Sequence, residues 1–366
     1  MNSPYTDKLA MKIFELTYEN LVEELARKYG KGEYHATAIF RQLYGRMNTD
    51  MAASQDMAAS GEFASLFCRA VETETGRVVR KKEQEGVVKF VTRFSDGIAV
   101  ESVVISMVRH KTVCVSTQAG CRMGCRFCET AKEGLSRNLT VQEIVGQVYA
   151  ARKNFGSDVR NIVFMGMGEP FDNYDNVIQS INVVSDQRGL DIARRRITVS
   201  TAGLEAGLKK FAVDGMPYVK LAISLNASND RLRSELMPVN RAFPMDKLRK
   251  LLLGYPLKKK DTFMIAYVQI PGVNDRPEHV LELAQYLALL PAKVNLIPFN
   301  PGTDSLYRPP TAKETETFRD LLIEKRVNIQ KRTTKGKDLM AACGQLGGEA
   351  SQWELPGPSN VNGVKP

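Results

Sequence analysis

Residues 111–134 read KTVCVSTQAGCRMGCRFCETAKEG and hold Cys114, Cys121, Cys125 and Cys128, four of the chain's six cysteines. The last three are spaced C-x3-C-x2-C. Three thiolates on one short loop can grip a metal centre, but they leave it one ligand short of four. A structural zinc site closes with a fourth protein ligand, whereas an open position is where chemistry happens. An iron–sulfur cluster ordinarily takes four thiolates. No second C-x2-C pair and no C-x2-H occurs elsewhere in the chain. The economical reading is a 4Fe-4S cluster with three irons on Cys121, Cys125 and Cys128 and the fourth free for a ligand. Spacing alone leaves two alternatives open: a zinc knuckle with a distant fourth ligand, and a redox disulfide.

Working outward, strand and helix alternate from Lys111 onward. TVCVS is a strand, and the helix VQEIVGQVYAARKNF follows, opened by Thr140 with Glu143 three residues later as a capping box. Then come VRNIVFMG and YDNVIQSINVVSD, ITVST and LEAGLKKFAV, VKLAISL and MDKLRKLLLGY. TFMIAYVQI with PEHVLELAQYLALL, and KVNLIPF with AKETETFRDLLIEK, complete six strand–helix units. Parallel strands joined by right-handed crossovers make a barrel or a doubly wound sheet. Six units with a metal loop after the first strand predict an α/β fold, a partial (β/α)6 barrel over residues 111–348. Its active site is expected at the C-terminal ends of the strands.

Before the barrel, residues 1–76 read as a helical accessory domain. IFELTYENLVEELARKYG predicts a helix with Ile13, Phe14, Leu16, Leu21 and Leu25 on one face, ending at Gly30. TAIFRQLYGRM and EFASLFCRAVE predict two more, with Cys68 in an apolar stripe with Leu66, Phe67 and Val71 as a core thiol. Residues 77–110 switch to strand period (VVRKKEQE, VVKFVTRF, IAVESVVI) and predict a β-meander linker with a turn at Ser95–Gly97. The accessory domain either packs or docks RNA. The tail, 349–366, is rich in Pro, Gly and Asn and reads as disordered, with the lone Trp353 inside it.

Lys and Arg number 51 against 41 Asp and Glu, a formal charge of +10. That balance favours a polyanionic partner, nucleic acid first, although a basic surface kept for solubility gives the same count. No apolar run of about 18 residues or more predicts a membrane span, and MNSPYTDKLAMKIFEL has no signal-peptide core. A cytoplasmic protein is expected, in which cysteines serve as ligands or redox groups. With only His35, His110 and His279 present, histidine general-base chemistry is not expected.

Other groups fall where a barrel would aim them at a ligand. NIVFMGMGEP ends a strand in Gly166, Met167, Gly168, Glu169 and Pro170, where glycines let backbone approach closely and a carboxylate can accept from an ammonium group. Ser200, Ser224, Asn226 and Asn300 stand at later strand ends, each of which alone could be a cap or loop residue. Far downstream, DLMAACGQL places Cys343 among small residues, either as a buried filler or as a nucleophile that carries a transferred group.

The C-x3-C-x2-C spacing, with Phe127 before Cys128, resembles that of radical S-adenosyl-L-methionine (SAM) enzymes, and GMGEP resembles their GGEP-like stretch. CVSTQAGCRMGCRFC, GLSRNLTVQEIVGQV, NIVFMGMGEP, RRRITVSTAG, NLIPFNP and RTTKGKDLMAACGQL together resemble the RlmN/Cfr family over nearly the whole chain. These are radical SAM enzymes that methylate an adenine of large-subunit ribosomal RNA. The resemblance implies a 4Fe-4S cluster and two SAM molecules per turnover. The first SAM methylates Cys343. The second, bound at the cluster, yields a 5′-deoxyadenosyl radical that takes a hydrogen atom from the S-methyl group. The carbon radical then adds to an amidine carbon of adenine. Cys114 resolves the protein–RNA crosslink through a disulfide with Cys343, and Glu101 matches the proton acceptor. Gly168, Glu169, Ser200, Ser224, Leu225, Asn226 and Asn300 match the SAM contacts. The resemblance implies 23S rRNA as partner, with tRNA as a second target, a flavodoxin-like electron donor and a monomeric enzyme.

The expected activity is methylation of adenine C2. Methylation at C8, as in Cfr, or of another sp2 carbon stays open, as does a non-catalytic iron–sulfur protein that binds RNA or senses redox state. Basic runs at 194–196, 258–260 and 331–337 suit phosphate contacts or are simply solvated ends. Three departures from the family pattern stand out: Glu129-Thr-Ala131 for Ala-Thr-Gly, Asn226 for His, and Ala266 for Glu.

Overall fold

The computed structural model describes residues 10–156, 158–216, 218–302, 305–331, 335–336 and 338–347. The expected tail, Trp353 and most of the 331–337 basic run lie outside the described residues.

One ten-stranded sheet organises the chain. Its strands are β1 (Arg77–Gln84), β2 (Val87–Arg93), β3 (Ala99–Ser106), β4 (Lys111–Cys114), β5 (Val159–Phe164), β6 (Ile197–Thr201), β7 (Lys220–Ser224), β8 (Phe263–Gln269), β9 (Ala292–Pro298) and β10 (Ile329–Lys331). Every strand lies beside its sequence neighbour. β1 to β4 are antiparallel, and β4 to β10 are parallel. The six expected parallel strands are all present as the partial barrel β4–β9. The meander at 77–110 extends that same sheet, with Val103 opposite Cys114, so it shares the barrel's hydrogen-bond ladder. A seventh parallel strand, β10, was not legible: it is three residues long and its segment, IQK, carries no apolar alternation.

The described helices are α1 (Tyr18–Tyr29), α2 (Glu33–Phe40), α3 (Gly61–Ala70), α4 (Glu129–Lys132), α5 (Val141–Phe155), α6 (Tyr174–Ser185), α7 (Glu205–Val213), α8 (Asp230–Leu236), α9 (Met245–Leu253), α10 (Pro277–Leu287) and α11 (Ala312–Glu324). The capping box at Thr140 and Glu143 is formed, and Thr311 with Glu314 makes a second one at α11. α8 is a further helix between β7 and α9, capped by the Asn229 side chain, which accepts from Leu232 N. The helix expected from Ile13 starts instead at Tyr18, because the Thr17 side chain accepts from Asn20 N and caps it there. Ile13 and Phe14 stay outside the helix and are buried. The Phe14 ring meets Tyr149 of α5 edge-on at 4.9 Å, docking the N-terminal helices on the barrel's outer layer. The stripe of α3 is Phe63, Ala64 and Phe67. Leu66 is 46% exposed, contrary to expectation, while Cys68 is half-buried against the core.

Candidate active site

Parallel strands placed side by side bring all their C-terminal ends to one face, and the loops there carry the chemistry. The cysteine loop leaves β4 at Cys114 under tight control from its neighbours. Gln147 of α5 accepts from Ser116 N at 2.8 Å and donates to Ser116 O at 2.9 Å. Asn173 donates to Thr117 O at 2.8 Å. Gln118 accepts from Glu169 N at 2.8 Å and donates to Asn138 and Asp172, both at 2.8 Å. Gly120 has φ +77, and a Cβ on it would fall 1.9 Å from Gly134 O, so only glycine permits the turn into Cys121.

The three thiols of Cys121, Cys125 and Cys128 sit in a poorly hydrated pocket. Burial pushes Cys121 up to about 12, and negative charge on Cys128 and on Glu169 pushes the same way. Burial also raises Cys125, reinforced by Cys128 and Cys121, with Arg233 as the one opposing cation. Cys128 is raised mainly by burial. Three thiolates so close together need a positive centre from outside the chain, which fits a metal cluster. Among the described residues, no three His, Cys, Asp or Glu side chains converge as ligands of a single metal ion. A four-iron cubane spreads its protein thiolates over separate irons.

Cys343, 215 residues after Cys128 in sequence, is folded back onto this loop. Glu129 N donates to Gly344 O at 2.8 Å, and Thr130 Oγ1 donates to Leu346 O at 2.6 Å. Cys343 and Cys125 are half-buried against the same small apolar cluster, which includes Met237, Ile297 and Phe299. Cys114, Cys128, Cys343, Gly166 and Asn300 line one cavity of about 520 Å³ inside the barrel. The distal cysteine is therefore at the barrel mouth and open to a cavity, as a carrier requires. All six cysteines are outside disulfides.

Glu101, expected as proton acceptor, lies behind this segment. It is fully buried and ion-paired with Lys89 at 3.1 Å, and it accepts from Gly347 N at 3.2 Å. Lys89 donates to Met340 O at 3.0 Å. Sequence reading missed Lys89, although a lysine inside the apolar strand VVKFV is a signal that it has a buried partner.

The expected SAM contacts stand at the ends of β5 to β9. Gly168 has φ +97, with its α-hydrogen side against Gln118. Glu169 accepts from Ala202 N at 2.7 Å and Phe171 N at 3.1 Å, and burial pushes its carboxyl up to about 7. Ser200 and Ser224 hydroxyls are 3.4 Å apart, and Leu225 is buried with its N–H on Ala266 O. Asn226 departs from the others. At φ +59 its Oδ1 accepts from Val268 N at 2.9 Å and its Nδ2 donates to Met237 Sδ at 3.2 Å, so both ends brace the scaffold. A second missed residue, Arg233 of α8, is 1% exposed. It donates to Ala202 O at 2.6 Å, Leu225 O at 3.2 Å, Ser224 O at 3.3 Å and Asn240 Oδ1 at 2.8 Å. One guanidinium thus ties together the ends of β6 and β7.

Comparison with known proteins matches this geometry. The family model of the radical SAM superfamily covers residues 115–284. The dual-specificity RNA methyltransferase RlmN of Pelobacter propionicus is 39% identical over 339 residues, 92% of this chain and 95% of the relative. The probable dual-specificity RNA methyltransferase RlmN 1 of Protochlamydia amoebophila is 37% identical over 348 residues, 92% of this chain and 94% of the relative. The chain belongs to the RlmN family of radical SAM RNA methyltransferases. A crystal structure of a radical SAM methyltransferase from Sphaerobacter thermophilus superposes with TM-score 0.86 at 36% identity, covering 92% of this chain and 99% of that one. Membership implies an iron–sulfur cluster and SAM, which removes the zinc-knuckle and redox-disulfide readings of the loop. No described helix is long and apolar enough to cross a membrane.

Proposed function

We propose that this RlmN-family enzyme methylates C2 of an adenine in 23S rRNA, and in tRNA as a second target, through a methyl group carried on Cys343. The observation that carries the reading is the seating of Cys343 on the cluster loop, in one cavity with Cys114 and Cys128. The relatives' names, dual-specificity RNA methyltransferase, support an RNA substrate of two kinds.

Cys121, Cys125 and Cys128 would hold the cluster, and Glu169 with the ends of β6, β7 and β9 would hold SAM. When bound, cluster and SAM supply a 5′-deoxyadenosyl radical, the species able to remove hydrogen from a methyl group. The chain's own work is then sulfur chemistry. Cys343 Sγ, having lost its thiol proton, takes the methyl group of one SAM, and S-adenosylhomocysteine leaves. Once the carried carbon is joined to adenine C2, Glu101 accepts the C2 proton. The Cys114 thiol then gives its proton to the carried carbon while Cys114 Sγ bonds to Cys343 Sγ and the Cys343 Sγ–carbon bond breaks. The base leaves with a methyl group and the disulfide remains; the one surplus electron is what the cluster, when bound, would take up. In the present conformation Glu101 is covered by Gly347 and paired to Lys89, so proton transfer follows displacement of residues 340–347. The reading includes a cytoplasmic monomer reduced by a flavodoxin-like donor.

The test is mass analysis. Purified protein carries a methyl group on Cys343, and rRNA from cells expressing the enzyme gains 2-methyladenosine. An unmodified Cys343 peptide, or methylation at C8, overturns the proposal. Cys114→Ala leaves RNA covalently attached to the protein, and Cys125→Ala stops 5′-deoxyadenosine release.

A further inference from the structure

A second cavity opens at the N-terminal ends of the strands and adjoins the first, with which it shares Thr112, Val163 and Thr198 in its lining. About 580 Å³ in volume, it is lined by Arg109, Arg160, Arg195, Arg196 and Lys220, with His110, Asn161 and Thr198 between them and no carboxylate. The topology explains the clustering. Arg109 precedes β4, Arg160 is the second residue of β5, Arg195 and Arg196 precede β6, and Lys220 opens β7. These four strands are adjacent and parallel, so their N-terminal ends bring five cations to one rim. The cluster loop leaves the opposite ends. Five-residue β6 separates the two faces by roughly 15 Å at about 3.3 Å per residue. None of the five cations makes an ion pair among the described residues, whereas neighbouring Lys111 is held by Asp158 at 3.2 Å. Arg109, Arg160, Arg195 and Lys220 are exposed.

Five cations massed without counter-charge repel one another, and they are tolerated where an anion completes them. Each of the four strands carries at least one of these cations at or just before its start, and neighbouring strands are spaced about 4.8 Å apart. That row spans several successive phosphates of a nucleic-acid backbone. Arginine matches phosphate bidentately. No Phe, Tyr or Trp side chain lines the cavity, so it lacks the broad aromatic platforms on which successive bases stack. The basic run at 258–260 precedes β8 at this same end, and Lys258 lies over the Tyr218 ring beside β7.

We propose that this basic rim is a second RNA-binding surface, which grips the phosphate backbone of the substrate on the barrel face opposite the active site. It rests on the RNA-methyltransferase reading above and adds where the RNA is held. Because phosphate contacts position and base contacts specify, the rim raises affinity for any sequence alike.

The probe is a labelled tRNA transcript titrated against the full enzyme over a series of salt concentrations. For Arg160→Glu/Arg195→Glu, affinity falls at least about tenfold, and the slope of log affinity against log salt drops by about one to two. The neutral Arg160→Gln/Arg195→Gln pair gives an intermediate loss, and a second transcript of unrelated sequence loses the same factor. SAM cleavage in the absence of RNA is unchanged, which shows that the catalytic face is intact. Wild-type affinity and slope in the reversed variant overturn the proposal. So does unchanged RNA binding with slowed reduction by an acidic flavodoxin-like protein, which would make the rim a donor-docking face. If wild-type enzyme binds no RNA, the function reading fails instead.

Discussion

Lys89 on β2 and Glu101 on β3 form a buried ion pair at 3.1 Å, and the two residues hold the Cys343 segment from its two ends. Lys89 faces Val103 and Glu101 faces Val91 in the ladder, so the pair lies on the diagonal of one sheet face. Lys89 reaches Met340 O, three residues before Cys343, and Glu101 receives Gly347 N, four residues after it. Charges so deeply buried persist only when paired and hydrogen-bonded. The contacts to 340–347 are part of what satisfies them, so the position of Cys343 is written into the sheet.

Lys89→Met leaves Glu101 buried without its partner and is expected to cost about 3–5 kcal/mol, read as a lower urea midpoint. Cys343 methylation falls in parallel. Lys89→Met/Glu101→Leu regains most of the stability, because replacing both ions with apolar groups is close to neutral, yet RNA methylation stays lost. Equal loss of stability in single and double variants would show that the pair does not clamp the segment.

Gly168→Ala introduces a Cβ 2.5 Å from Gln118 Cβ at φ +97. Gln118 also holds Glu169 N, so the clash and the strained backbone displace the carboxylate expected to receive the SAM ammonium group. SAM binding, measured by equilibrium dialysis, falls at least tenfold while the iron content of reconstituted protein is kept. Unchanged SAM affinity would separate this turn from the cofactor.

How far the sequence could be read follows from the range over which each signal acts. The cysteine loop, the six strand–helix units and the Thr140 cap rest on residues within a turn or two of one another, and they were legible. What escaped depends on distant partners. Lys89 matters because of Glu101, Met340 and their shared burial, and Arg233 because α8 lays it across the ends of β6 and β7. Neither pairing leaves a local pattern. Asn226 shows the converse: its place at a strand end suggested a ligand contact, but its left-handed backbone turns both polar ends into hydrogen bonds with Val268 and Met237.

Glu169 predicts a pH dependence. Burial lifts its carboxyl from 4.5 to about 7, against hydrogen bonds from Ala202 and Phe171 that pull it down. An acid whose folded value is raised binds more protons folded than unfolded in that interval, so stability falls as pH rises from about 4.5 to about 7. The difference is on the order of 3 kcal/mol. Glu169→Gln cannot titrate, so the gap in unfolding free energy between wild type and variant changes by that amount across the interval. A gap constant with pH would place the titration of Glu169 at its ordinary value.

Arg233 predicts the effect of loosening the strand ends without touching a cluster cysteine. Its four acceptors belong to Ala202, Ser224, Leu225 and Asn240. Arg233→Met strands these buried oxygens, at about 1–3 kcal/mol for each one left unpaired. Arg233→Lys has a compact ammonium in place of the planar fork and recovers only part of the loss. The expected result is a melting temperature lowered by several degrees and SAM affinity reduced at least tenfold, with lysine intermediate between arginine and methionine. Iron content decides the interpretation. If the cluster is retained while SAM binding drops, the guanidinium acts by positioning Ser200, Ser224 and Leu225. If iron is lost in proportion to SAM binding, its role is to support the Cys125 pocket instead, and the positioning argument fails.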